Sequence, residues 1–89
     1  MPLTAQPGDP DTEALIGRVL AGDTETFAAL VRRHEGEVWK VAAAMLGDRA
    51  ATANLVQQTF VNAYERLEQY RPGHDFTRWL KGIARNLVR

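Results

Sequence analysis

The sequence predicts an all-α fold, a small bundle of four helices, and three observations lead there. Apolar residues recur at three- and four-residue spacing through four segments. Short breaks rich in Gly, Pro and Asp separate these segments. Neither the two-residue alternation of a half-buried strand nor an internal repeat occurs anywhere.

Residues 1–10 carry Pro and Gly and read as a flexible N-terminal tail, leaving 11–89 as the helical domain. Asp11 is placed to cap a first helix reaching about Ala21, with Glu13 in its first turn, Leu15, Ile16, Val19 and Leu20 as its apolar side, and Gly22 ending it. Asp23 is the expected cap of a second helix to about Leu46. Phe27, Leu30, Val31, His34, Val38, Val41, Ala42 and Met45 form its stripe, and Gly47 stops it. Asp48 is the expected cap of a third helix to about Gln69, striped by Leu55, Val56, Thr59, Phe60, Ala63, Leu67 and Tyr70. The loop Arg71-Pro72-Gly73-His74-Asp75 breaks the chain, because Pro lacks an amide donor and Gly tolerates positive φ. A fourth helix then runs from about Phe76 to the end. At about 100° per residue, Phe76, Leu80, Ile83 and Leu87 share one arc, while Arg78, Lys81, Arg85 and Arg89 form a basic rail on the other side.

A chain of 89 residues with 45% apolar content builds one core. A domain of this size buries only about 60% of its unfolded surface, so its stability is marginal. With no cysteine, disulfides and thiolate metal sites are excluded, which suits a reducing compartment and makes the cytoplasm the default. Met1 to Thr12 have neither the basic start nor the apolar run of a signal peptide, and no stretch approaches the roughly 18 apolar residues of a membrane span. Neither export nor a membrane partner is expected. The net charge is zero, yet it is segregated: residues 1–69 carry six Lys/Arg against ten Asp/Glu, and residues 70–89 carry five against one. Segments of −4 and +4 suggest two surfaces with different partners, the basic one suited to phosphate.

Catalytic apparatus is missing from the sequence. Serine is absent as well as cysteine, which removes the commonest nucleophiles of covalent catalysis. No HExxH or CxxC spacing and no glycine-rich phosphate loop occurs, so no metal or cofactor is expected. His34 lies on the apolar stripe of the second helix, where a packed, hydrogen-bonded histidine outweighs a ligand.

Two surfaces call for partners. Opposite its core stripe the third helix carries Asn54, Gln57, Gln58, Val61, Tyr64, Glu65 and Glu68. Tyr supplies apolar area with a polar tip and the amides fix register, as a docking face requires, although scattered apolar residues on a solvated face give the same pattern. The second surface is the loop with the fourth helix. There Tyr70, Phe76 and Trp79 alternate with Arg71, Arg78 and Lys81, and single-stranded nucleic acid calls for both types: cations for phosphates, π-faces for bases. Phe76 falls on the core arc, and Trp79 at its edge suits core or base contact equally.

Asn54-Leu55-Val56-Gln57-Gln58-Thr59-Phe60-Val61-Asn62-Ala63-Tyr64 resembles the D-L-V-Q-E-x-F-x-x-A-[WY] pattern of the sigma factors of the ECF (extracytoplasmic-function) class. Phe76 to Asn86 resembles their F-x-x-W-L-x-x-I-A-x-N pattern, in the right order and spacing. Upstream, Ala21-Gly22-Asp23 followed by Phe27, Leu30 and Val31 is similar to the family's G-D-x-x-A-F-x-x-L opening, with Thr26 in place of alanine. The similarity runs from about Asp11 to Arg89 and covers the second region of the sigma-70 family.

The resemblance implies an all-helical domain that binds core RNA polymerase and opens promoter DNA. Asn54, Gln57, Gln58, Val61 and Tyr64 would meet the coiled-coil clamp helices of the β′ subunit. Arg71, Gly73, His74, Asp75 and Trp79 would belong to the part that captures a flipped base of the minus-ten element on the non-template strand. Arg78, Lys81, Arg85 and Asn86 would face DNA around that element. Asn54 and Gln58 stand where the family commonly has Asp and Glu, so two carboxylates facing a basic clamp surface become neutral amides. The family's second DNA-binding domain, for the minus-thirty-five element, has no counterpart within these residues. The chain is therefore expected to be an excised domain or one whose promoter binding is incomplete alone. A regulatory module that binds an anti-sigma factor is the alternative function. A duplex-binding helix-turn-helix protein is disfavoured, because no short recognition helix follows a tight three- to four-residue turn. An enzyme is the weakest reading.

Overall fold

Local chemistry places the helix boundaries in the computed structural model, which describes residues 9–89. The four helices are α1 (Pro10–Leu20), α2 (Phe27–Leu46), α3 (Arg49–Glu65) and α4 (Phe76–Val88), with 3-10 turns at Thr24–Thr26 and Leu67–Gln69. Among the described residues there is no strand. The Asp48 carboxylate accepts the Ala51 amide at 2.8 Å and starts α3 as expected. Gly47, at φ 73°, ends α2 in the left-handed conformation that only glycine adopts without cost.

The other two expected acidic caps are corrected. Asp9, not Asp11, holds the N-cap position of α1, because Pro10 follows it at the first helical position, where a missing amide costs nothing. The Asp9 carboxylate takes the Thr12 hydroxyl at 2.9 Å and Arg33 at 3.0 Å, and so ties α1 to α2. Of the expected tail, residues 1–8 lie outside the described residues. Asp23 opens a 3-10 turn rather than α2, and its carboxylate pairs with Arg18 at 2.9 Å across the α1–α2 connection. The third helix stops at Glu65 rather than Gln69. The tighter winding of Leu67–Gln69 carries Leu67 and Tyr70 into the core, where this turn packs against α1.

The core lies where α2, α3 and α4 pack on one another and α1 crosses α2. Leu30, Val38, Ala42, Ala63 and Leu80 are fully enclosed at its centre. Each such Leu contributes about 1.5–3 kcal/mol on burial, the main stabilising force in so small a domain. Thr59 and Thr52 sit among these apolar groups without penalty, since their hydroxyls donate back to the carbonyls of Leu55 at 2.8 Å and Asp48 at 2.7 Å. Met45 and Leu87, on the expected apolar stripes, are exposed near the C-terminal ends of α2 and α4.

His34 is buried as a packed side chain. Its Nε2 lies 3.3 Å from the Thr12 hydroxyl, and its ring meets Phe76 edge-on at 5.1 Å. Burial, reinforced by the neighbouring Arg33, holds its pKa below the usual histidine value and keeps the ring neutral.

Candidate nucleic-acid interface and docking groove

Between α3 and α4 the chain makes a turn that its sequence dictates. The His74 amide donates to the Arg71 carbonyl at 3.2 Å, with Pro72 and Gly73 between them and Gly73 at φ 88°. Proline ahead of a positive-φ glycine is the pattern of a type II turn. Asp75 then caps α4, its Oδ1 accepting the Arg78 amide at 3.2 Å. Under this turn three aromatic rings pack together: Tyr70 lies 5.1 Å from Phe76 and 5.4 Å from Trp79, and Phe76 lies 5.6 Å from Trp79.

Above the rings is an open cleft of 610 Å³, within the size range of ligand pockets. Arg71, Gly73, His74, Asp75, Arg78 and Trp79 line it, together with Gln69 and Tyr70. The structure therefore gathers six of the nine expected DNA-binding residues into one site. The roles of the aromatic residues divide. Phe76 is core, Trp79 is half-buried at the wall, and Tyr70, expected to offer a stacking face, is 4% exposed and serves as the floor. The Tyr70 hydroxyl donates to the Glu13 carboxylate at 3.0 Å and lies against the His74 carbonyl, so it pins the turn from beneath.

Lys81, Arg85 and Asn86 lie outside the cleft along α4. Arg85 and Asn86 are exposed. Lys81 is not a free cation of the basic rail: its Nζ lies 3.4 Å from Glu37 of α2, and its side chain is 27% exposed. Sequence reasoning missed this pair because Glu37 stands 44 residues away and carries no motif.

On α3, Asn54, Gln57, Gln58, Val61 and Tyr64 are all exposed, Val61 at 53% and Tyr64 at 43%. They border two hollows rather than one flat face. Gln57, Val61 and Tyr64 edge an apolar groove of 870 Å³ whose other wall is α2, with Phe27, Val31 and Trp39. Phe27 meets Tyr64 edge-on at 5.2 Å, and Arg49 sits 5.8 Å over the Trp39 ring. Glu35 and Glu65 stand among the groove residues as carboxylates able to receive a basic partner. Asn54, Gln57, Gln58 and Val61 border a smaller hollow of 400 Å³ with Leu87. The α2 wall was missed: Phe27 and Val31 read as core stripe, and Trp39, a large aromatic off that stripe, was the signal available. Among the described residues no helix is long and apolar enough to cross a membrane.

Residues 30–89 match the sigma-70 region 2 family. The chain is similar to the ECF RNA polymerase sigma factor BldN of Streptomyces coelicolor, at 33% identity over 83% of this chain and 28% of that protein. It is similar to the ECF RNA polymerase sigma factor SigW of Bacillus subtilis, at 29% identity over 82% of this chain and 39% of that protein. It also resembles the ECF RNA polymerase sigma-E factor of Haemophilus influenzae, at 32% identity over 86% of this chain and 40% of that protein. No solved structure matches. The chain belongs to the sigma-70 region 2 family, as a region 2 domain of the ECF class. It spans less than half the length of each of these three relatives.

Proposed function

We propose that this domain binds core RNA polymerase through the β′ clamp helices and recognises and melts the promoter minus-ten element through its non-template strand. It does so by binding, without catalysing a reaction. The relatives, named as RNA polymerase sigma factors, support the class of function. The observation that carries the DNA reading is the cleft, in which one turn and the start of α4 bring two arginines, a carboxylate, an imidazole and a half-buried indole around a space of ligand size.

The groove residues act first. Docking the apolar walls of α2 and α3 on a helical partner, with Glu35 and Glu65 meeting its basic side chains, places α4 beside DNA. Arg71, Arg78 and Arg85 then neutralise phosphates, which gives salt-dependent, sequence-tolerant attraction. Specificity comes from opening. Extruding a base costs a few kcal/mol, and stacking returns about 1–3 kcal/mol per base. Trp79 supplies a half-buried indole on which a base can stack, and Asp75 and His74 supply polar atoms for a base edge, so only a base that fits both offsets the cost.

Selection from a random-sequence single-stranded DNA pool, run beside the same pool as duplex, tests this reading. Enrichment of a short motif in the single strands, abolished in Arg71→Ala and Trp79→Ala variants, is the expected result. Tighter binding of duplex, or no enrichment, would refute it.

A further inference from the structure

Among the basic residues of segment 70–89, Lys81 alone is ion-paired with an acid in the described structure. Its partner Glu37 is shared. Glu37 Oε1 lies 3.4 Å from Lys81 of α4, and Oε2 lies 3.3 Å from Lys40 of α2. One carboxylate thus bridges two ammonium groups on two helices. Lys40, hydrogen-bonded to it, and Lys81 hold the Glu37 carboxyl below the usual carboxylate range, so it is ionised at neutral pH. Partly exposed pairs of this kind add little to folding stability, so stability gives a weak account of the arrangement. Its location gives a better one. His34, Val38 and Ala42 of α2 face the core, Glu37 reaches from α2 to Lys81 of α4, and Lys40 stands on the exposed side of Glu37, while Arg78 and Arg85 of α4 have no acidic partner among the described residues.

We propose that Glu37 stands in for a DNA phosphate in the unbound domain, holding Lys81 and Lys40 together until a phosphate displaces it. The DNA surface then continues from α4 onto α2 through Lys40, an extension that α4 alone does not supply. Carboxylate and phosphate oxygens accept the same ammonium hydrogen bonds, so the exchange needs little rearrangement. It also has a consequence for affinity. Part of the attraction of Lys81 and Lys40 is already spent on Glu37, and Glu37 itself repels the strand. The carboxylate therefore tempers sequence-independent binding and leaves discrimination to the cleft. This inference rests on the DNA-binding reading of the domain.

Fluorescence anisotropy of the 89-residue chain with labelled single-stranded DNA, titrated over a range of salt, tests it. Glu37→Gln should tighten binding about three- to tenfold at low salt and steepen the log–log salt dependence by about 0.7 for each additional phosphate neutralised. The effect should shrink when Lys81→Ala or Lys40→Ala is combined with it. No tightening, or tightening equally large without both lysines, would overturn the proposal, the second outcome reducing Glu37 to a distant charge. Loss of a cooperative melting transition in both Glu37→Gln and Glu37→Ala would make Glu37 structural and overturn it as well. Salt-dependent binding by the unaltered chain with an inert Glu37→Gln removes this inference alone. Failure of the unaltered chain to bind DNA at all removes the underlying reading.

Discussion

The hydroxyl of Tyr70 donates to the carboxylate of Glu13 at 3.0 Å, joining residues 57 apart in the chain. Through this bond α1, which also packs against the Leu67–Gln69 turn, holds the floor of the cleft. Burial, with Glu13 beside it, pushes the Tyr70 phenol far above its ordinary pKa, so it remains a donor throughout the working pH range. Tyr70→Phe keeps the ring packing and deletes the bond, so it should cost about 1–2 kcal/mol. For a domain of this size that lowers Tm by about 4–8 °C per kcal/mol. Thermal denaturation followed by circular dichroism checks the loss, and faster amide exchange at Gly73 and His74 would place it in the turn.

Arg78 stands at the cleft wall with no acidic side chain paired to it among the described residues. Arg78→Ala should weaken binding to single-stranded DNA and flatten the log–log salt dependence by about 0.7, the increment that one neutralised phosphate contributes. Affinities measured from about 50 to 200 mM salt, the range over which phosphate neutralisation dominates, give this slope. An unchanged slope would remove Arg78 from the phosphate-binding set.

His34 makes folding sensitive to mild acid. Burial lowers its folded-state pKa below 6.5, so on acidification the unfolded chain takes up the proton before the folded chain does. Stability is full above about pH 6.5 and declines as pH falls from there through the lower folded-state value. Glu37, whose pKa is lowered from 4.5, acts in the same direction only in a more acidic range. Melting temperatures measured between about pH 7.5 and 5 should therefore fall, and His34→Gln should flatten that fall while lowering the plateau at neutral pH.

Much of this architecture was legible in the sequence where local chemistry decides it. Gly47, Asp48, the Pro72-Gly73 pair and Asp75 set boundaries that the folded chain keeps, because caps and turns depend on residues a few positions away. Asp11 and Asp23 misled for the same reason. An acid near a helix start is a cap only if the next residues leave their amides free, and Pro10 and the 3-10 turn at Thr24 shift the starts. The cleft residues could be grouped because they are contiguous. The Lys81–Glu37 pair and the α2 wall of the groove could not, since both depend on how far α2 rotates against α3 and α4, which periodicity alone leaves open. Tyr70 shows the limit in a single side chain: its place on the stripe was read, and its burial beneath the loop was decided by a partner in α1.

Whether two separate surfaces serve two partners is decided at the groove. Tyr64 and Trp39 sit on its two walls, Tyr64 projecting from α3 with much of its ring free. Aromatic residues so placed dominate interface energies, each typically costing about 2 kcal/mol or more, about thirtyfold in affinity, when truncated. The decisive measurement is a calorimetric titration of the domain with a purified β′ clamp-helix fragment, repeated with Tyr64→Ala and with the Asn54→Asp, Gln58→Glu double variant. Saturable binding that Tyr64→Ala weakens at least about tenfold, and that the restored carboxylates tighten, is the expected result. No binding by the unaltered domain, or binding indifferent to Tyr64, would contradict it.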